Sequence, residues 1–194
     1  MNPQLSDRAN DWLTTLPRQP AVSTESVCEV LIRNKTEPFE SWLSFHERFA
    51  GYIEPIGVDI AHWGLMHENP HWLPPNDVVS DYDEVEKFWC IACADAHPTY
   101  EYQLDQHGVL HSAVTTCTFE VYIERRALQW WFCSQSANPK LTLNATAPSL
   151  VDRIETETKL VQEASDEHYL HRLGDRILAI REIANNRWVE VYTL

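Results

Sequence analysis

Residues 88–112 read FWCIACADAHPTYEYQLDQHGVLHS. The stretch holds two cysteines, three histidines, three carboxylates and two tyrosines, a density that suits either a catalytic centre or a sheet. Its patterning favours the sheet. FWCIACAD (88–95) is an apolar run of strand length. TYEYQL (99–104) alternates, so Tyr100, Tyr102 and Leu104 share one face and Glu101 and Gln103 the other. That is one-sided burial. DQHG (105–108) is a turn in which Gly108 is free to take positive φ, and VLHSA (109–113) returns. The stretch predicts a β-meander.

Upstream the chain is helical. Residues 4–16 place Leu5, Trp12, Leu13 and Leu16 at apolar helix positions before PRQP (17–20) breaks the period. A second helix fits Ser26 to Asn34, although VCEVLI (27–32) also suits a strand. In PFESWLSFHERFAG (38–51), Trp42, Phe45 and Phe49 form a core-facing stripe. Pro38 suits the first turn of that helix and Gly51 its end. Residues 52–87 read as one long proline-rich loop ending in the acidic DYDEVE, with Trp63 and Trp72 folding it over the core.

Downstream, TFEVYIERRALQWWF (118–132) turns helical, with Phe119, Ile123, Ala127 and Trp131 four apart. SQSANPKLTLNATAP (134–148) reads as a linker, and Pro148 to Glu163 as a helix using Leu150, Val151, Ile154 and Val161. EHYLHRL, RILAIREI and RWVEVYTL are strands separated by Gly174-Asp175 and Asn185-Asn186 turns. Helices segregated from antiparallel strands predict an α+β fold: a mostly antiparallel meander flanked by helices. A length of 194 residues predicts one domain over 21–194, with 1–20 as a helical extension and 148–194 as a C-terminal helix plus strands.

Charge narrows the partners. The chain carries 29 acidic and 15 basic residues, a formal charge of −14, which disfavours direct contact with nucleic-acid phosphates. Residues 59–107 hold ten acids and one base, Lys87. A field so localised attracts and steers a basic protein; its plainer role is solubility. The N-terminus MNPQLSDRANDWL reads as having no secretory signal, and no 18-residue apolar run predicts a membrane span. An odd count of five cysteines fits a reducing cytoplasm.

The motifs that carry chemistry are weak. Cys90-Ile-Ala-Cys93 sits inside a predicted strand, whereas a redox or zinc C-x-x-C needs a helix N-terminus or a turn, so buried inert thiols are expected. His62, His67 and His71 share a loop, and His97, His107 and His111 flank the meander; neither set has metal-ligand spacing on a regular element, and no metal or cofactor is expected. The sequence has no nucleophile elbow, phosphate loop or protease-type cysteine. Arg125-Arg126 is a small basic island expected to pair with Glu120, Glu124 or the acidic loop.

An aromatic-rich helix closed by Gly51, then His62-Trp63-Gly64, a hydrophobic strand, the hairpin YEYQLDQHGVLH and the helix beginning TFEVYIERRAL together resemble the SUKH superfamily of bacterial immunity proteins. The resemblance spans roughly residues 36–133; the long proline-rich loop and residues 148–194 depart from it. It implies an α+β scaffold and a non-enzymatic role, the binding and blocking of a cognate toxin that is often a nucleic-acid-directed enzyme. The matched residues are scaffold and transfer no binding site. From the charge distribution, Asp77, Asp81, Asp83, Glu84 and Glu86 are the candidate partner contacts, with Trp72 or Tyr82 as aromatic anchors. A regulatory module of the same fold binding a host protein is the alternative. A third is an enzyme whose site gathers dispersed residues such as Asp95, His97 and Tyr102, which requires a polar pocket holding a carboxylate or histidine of shifted pKa.

Overall fold

The computed structural model describes residues 4–112, 115–136, 139–185 and 187–194. Ala113 of the returning strand, Ala137 and Asn138 of the expected linker, and Asn186 of the Asn185-Asn186 turn lie outside the described residues. The chain begins with helices α1 (Asp7–Thr15), α2 (Thr24–Arg33) and α3 (Glu40–Phe49). Strands β1 (Ile53–Ile56), β2 (Asp59–Trp63), β3 (Ser80–Asp83), β4 (Phe88–Ala92), β5 (Ala94–Ala96), β6 (Tyr102–Asp105), β7 (Val109–Ser112) and β8 (Thr115–Thr118) follow. Then come α4 (Phe119–Ser134), β9 (Lys140–Ala145), α5 (Pro148–Glu157), β10 (Lys159–Leu160), β11 (Tyr169–Leu173), β12 (Ile177–Glu182) and β13 (Arg187–Thr193). The fold is α+β, as its sequence predicts, and the strand pairings described are antiparallel.

Contacts divide the chain into two compact units, Thr15–Phe119 and a second formed by Met1–Thr14 with Glu120–Leu194. The N-terminal helix therefore belongs with the C-terminal half. Its lead-in residue Ser6 donates from both its backbone N–H and its hydroxyl to the Glu124 carboxylate at 2.6 Å. Arg8 pairs with Glu163 at 2.9 Å.

In the Thr15–Phe119 unit, β1-β2-β5 form one sheet and β3-β4-β6-β7-β8 another. Trp42, Phe45, Phe49, Trp63 and Phe119 are buried. Phe119 takes edge or tilted contacts from Phe45, Phe49 and Trp63 at 4.6, 4.7 and 4.8 Å, the geometry that aromatic quadrupoles favour. Ser23 caps α2 by accepting from the Ser26 N–H, which settles VCEVLI as helix. Pro38 lies before the α3 cap, Phe39, rather than in the first turn. Gly51 has φ +87°, and a Cβ there would fall 2.2 Å from the Gln19 carbonyl oxygen, so only glycine fits.

Two further sequence expectations fail in this unit. The expected loop 52–87 contains the β1–β2 hairpin and strand β3. Pro55 is tolerated because β1 is an edge strand, and Gly57, at φ +61°, lies between the two strands. The run FWCIACAD is two strands. β4 pairs β3 and β6, while β5 pairs β2 in the other sheet. Cys93 is the joint: its N–H donates to the Tyr102 carbonyl and its carbonyl accepts from Gly64, each at 3.0 Å.

In the second unit the sheet order is β10-β11-β12-β13-β9. Alternation along β12 covers both faces: Leu178 packs with Leu128 and Phe132 of α4, whereas Ile177 and Ala179 pack with Ile154 of α5. Here three expectations are corrected. The expected linker 134–148 contains β9, paired with β13. The helix from Pro148 ends at Glu157, and Val161 enters the core from the segment beyond. Trp131 is 37% exposed because four-residue steps on a 3.6-residue helix drift around its axis; Leu128 and Phe132 hold the core instead. Arg125 pairs with Asp166 at 2.7 Å, and Arg126 donates to Gln129 at 3.2 Å.

Candidate functional site

Two acidic places in the Thr15–Phe119 unit are built differently. The first is the β3–β4 hairpin. β3 is the edge strand of its sheet, and its register sets Asp81 opposite Cys90, Tyr82 opposite Trp89 and Asp83 opposite Phe88. Asp81, Asp83, Glu84, Val85, Glu86 and Lys87 are all exposed. Asp83 accepts the N–H groups of Val85 and Glu86 at 2.8 and 2.9 Å, closing the turn that Lys87 completes at φ +63°. Those bonds, Glu86 first, hold its carboxyl below the usual range. Glu84 pairs loosely with Lys87 at 3.2 Å, a contact at the surface worth little. Tyr82 is half-buried against Trp89, ring centroids 5.4 Å apart across the strands.

The hairpin thus gathers Asp81, Tyr82, Asp83, Glu84 and Glu86. The other expected contacts lie elsewhere. Asp77 is half-buried and engaged by α2, accepting from Asn34 at 2.9 Å with Arg33 at 3.7 Å. The Asn34 bond, then the Val78 N–H, lowers its carboxyl. Trp72 is 54% exposed on the loop after β2, and its ring meets His97 edge-on at 4.9 Å. Asp83 is a structural member of the hairpin as well as a charge.

The second place lies around Asp95 of β5, which is 2% exposed. Its Oδ2 accepts from the His71 N–H at 2.7 Å, and its Oδ1 accepts from Trp72 and Leu73 at 2.8 and 3.0 Å. Burial raises this carboxyl, but the three backbone donors together outweigh it and leave the group below its ordinary value. One carboxylate thereby organises the loop 71–73. Around it open His62, His67 and His71, walls of a cavity of about 410 Å³ that lies inside this unit. The ring centroids of His62 and His71 are 6.2 Å apart.

His46 and His67 are fixed by their partners. His46 Nε2 donates to the Val22 carbonyl at 2.9 Å and its Nδ1 accepts from Leu65 at 3.1 Å, so it is a neutral ring with both nitrogens used. His67 Nε2 donates to the Gly64 carbonyl at 3.1 Å. Burial is the first cause that lowers the pKa of His46, His62 and His67. Sequence reasoning singled out His62, His67 and His71 only to set them aside, because their H-x4-H-x3-H spacing falls outside one regular element. The signal that links them is Asp95, which sits 24 residues beyond His71.

Asp95, His97 and Tyr102, grouped from sequence as a dispersed site, take different surroundings. Tyr102 is buried against Trp63 at 5.0 Å, and His97 sits on Trp72 with its Nδ1 accepting from Thr99. Among the described residues the five cysteines form no disulfide. Burial, then Asp105, pushes the Cys90 thiol up to about 11, and burial pushes Cys93 well above its ordinary value, so neither is a thiolate at neutral pH. Among the described residues no group of three or more His, Cys, Asp or Glu is arranged to hold a metal ion. Among them, too, no helix is long and apolar enough to cross a membrane.

Comparison with known proteins returns no match: no family model, no curated protein and no solved structure matches this chain.

Proposed function

We propose that this chain is a non-catalytic binding protein of the immunity type, acting in the cytoplasm by occluding a basic toxin domain. The observation that carries this reading is the β3–β4 hairpin, where Asp81, Asp83, Glu84 and Glu86 stand exposed beside a single base, Lys87. Charges held in water on a closed turn act at range: they raise the encounter rate with an oppositely charged surface more than they add affinity. Val85, 85% exposed at the same tip, supplies an apolar point for short-range contact. The SUKH-like order of helix, Trp63-Gly64 and β6–β7 hairpin supports the same reading.

The partner is sought by pull-down against the protein encoded immediately upstream. Asp81→Lys, Glu84→Lys and Glu86→Lys are then combined, leaving Asp83 to hold the turn. The triple variant is expected to associate with that partner on the order of tenfold to a hundredfold more slowly at low salt, with a flattened salt dependence. Unchanged association would remove the hairpin from the interface. A toxin reading frame next door favours the immunity role; a host protein as the captured partner favours a regulatory module of the same fold.

A further inference from the structure

The cavity beside Asp95 has a lining that selects for charge. It contains two carboxylates, Asp95 and Glu68, and three imidazoles, and among the described residues no lysine or arginine lines it. Trp63 and Met66, both buried, also line it. A volume near 410 Å³ lies within the range of small-ligand sites.

Its polar atoms are unevenly satisfied. The Asp95 oxygens already accept three backbone N–H groups, and His46 uses both ring nitrogens. His62 Nε2, by contrast, is buried and has no hydrogen-bond partner among the described residues. A buried polar nitrogen left unpaired is costly, and strain, a bound water or a ligand are the ways native proteins account for one. With His67 donating through Nε2, its Nδ1 is a lone pair. The cavity therefore offers imidazole acceptors within a negative field.

We infer that this cavity binds a small organic cation bearing N–H donors, a guanidinium or a primary ammonium, with His62 and His67 accepting its hydrogen bonds and Asp95 and Glu68 supplying the counter-charge. A guanidinium is donor-only, planar and weakly hydrated, so it satisfies acceptors without presenting an orphan acceptor of its own. Among the described residues that line it, an anion meets two carboxylates and no lysine or arginine; Arg18 donates to the carbonyl of Ala50, a lining residue, at 3.2 Å. This inference does not rest on the hairpin reading, because a free alkylguanidine and an arginine side chain of a partner present the same group.

The test is NMR of the histidine ring signals while the whole chain is titrated separately with ethylguanidinium, butylammonium, a capped arginine amide, acetate and zinc. The expected result is a saturable shift of the His62 and His67 rings with the organic cations and none with acetate. His62→Phe should weaken that binding about tenfold, the scale of one lost charge-assisted hydrogen bond. Glu68→Gln, an exposed change that spares the fold, should weaken it several-fold. Binding of the capped arginine as well as ethylguanidinium assigns the site to a side chain; binding of ethylguanidinium alone assigns it to a free molecule. The inference is overturned by no saturable shift with any organic cation, by affinity indifferent to both substitutions, or by zinc binding at these rings in their place.

Discussion

Asp95 and the hairpin carboxylates are the same chemistry put to opposite uses within one unit. Asp95 is 2% exposed and spends its charge on three backbone N–H groups, fixing the loop that walls a cavity. Asp81, Glu84 and Glu86 are exposed on an edge hairpin. A buried charge is stabilising only when its hydrogen bonds are satisfied, whereas an exposed one adds little to stability and keeps its field for an approaching partner. The net charge of −14 is thus a poor guide to any one residue. What decides a carboxylate's role is whether the backbone has claimed it.

The largest expected effect comes from acid, because it reaches every buried titratable group at once. His171 is 3% exposed, and burial, assisted by the Arg125 charge, lowers its pKa to about 3. The fold favours its neutral ring, so the stability it lends is complete above the ordinary value of 6.5 and is lost as pH falls from there toward 3. At about 1.4 kcal/mol per pH unit of depression, the loss is roughly 5 kcal/mol at full titration. His46 and His67 act in the same direction, their contribution lost as pH falls below 6.5, and Asp95 adds a loss as pH falls below 3.8 and through its own lowered value. Urea midpoints should fall steadily from pH 7 to pH 4, and His171→Gln should flatten the slope. A flat profile over that range breaks the claim that interior groups, unlike the hairpin, carry stability.

Next in size is Asp95→Ala. It strands the N–H groups of His71, Trp72 and Leu73, a loss on the order of 3 kcal/mol in a denaturant titration. Hydrogen exchange locates the effect, since those three amides should lose protection together. Asp95→Asn keeps one carbonyl oxygen for Trp72 and Leu73 but turns an NH₂ toward His71, so it should fall between alanine and the native residue.

How far the sequence reveals these two places follows from the range of the forces that make them. The stripe Trp42, Phe45, Phe49, the Gly108 hairpin and the strands β11 to β13 are legible because periodicity and turn residues are local signals. The hairpin carboxylates are legible as a charge cluster. The β1–β2 hairpin is hidden because Pro55 and Gly57 punctuate it like a loop, and the break at Cys93 is hidden because both flanking strands are apolar. Strand β9 is hidden because it lies at an edge with Leu141 and Leu143 exposed, giving no burial pattern to read. The cavity is illegible in principle. Its defining contact joins Asp95 to the backbone of 71–73, and backbone donors leave no mark on a sequence.

The smallest expected effect sharpens the comparison most. Neutralising the hairpin with Asp81→Asn, Glu84→Gln and Glu86→Gln should leave the urea midpoint where it is, since these groups hold no buried partner. The variant also separates two uses of exposed charge. β3 is an edge strand, and carboxylates on an edge deter pairing with another chain. If deterrence were their whole purpose, the neutral variant would self-associate in sedimentation while binding its partner at the native rate, and the lysine variant, still charged, would behave as native in both assays. If the charges steer a basic partner, neutralisation slows association in proportion to the charge removed and reversal slows it further. Native association by both variants, as against slowing that grows from the neutral to the lysine variant, therefore distinguishes a protected edge from a docking face.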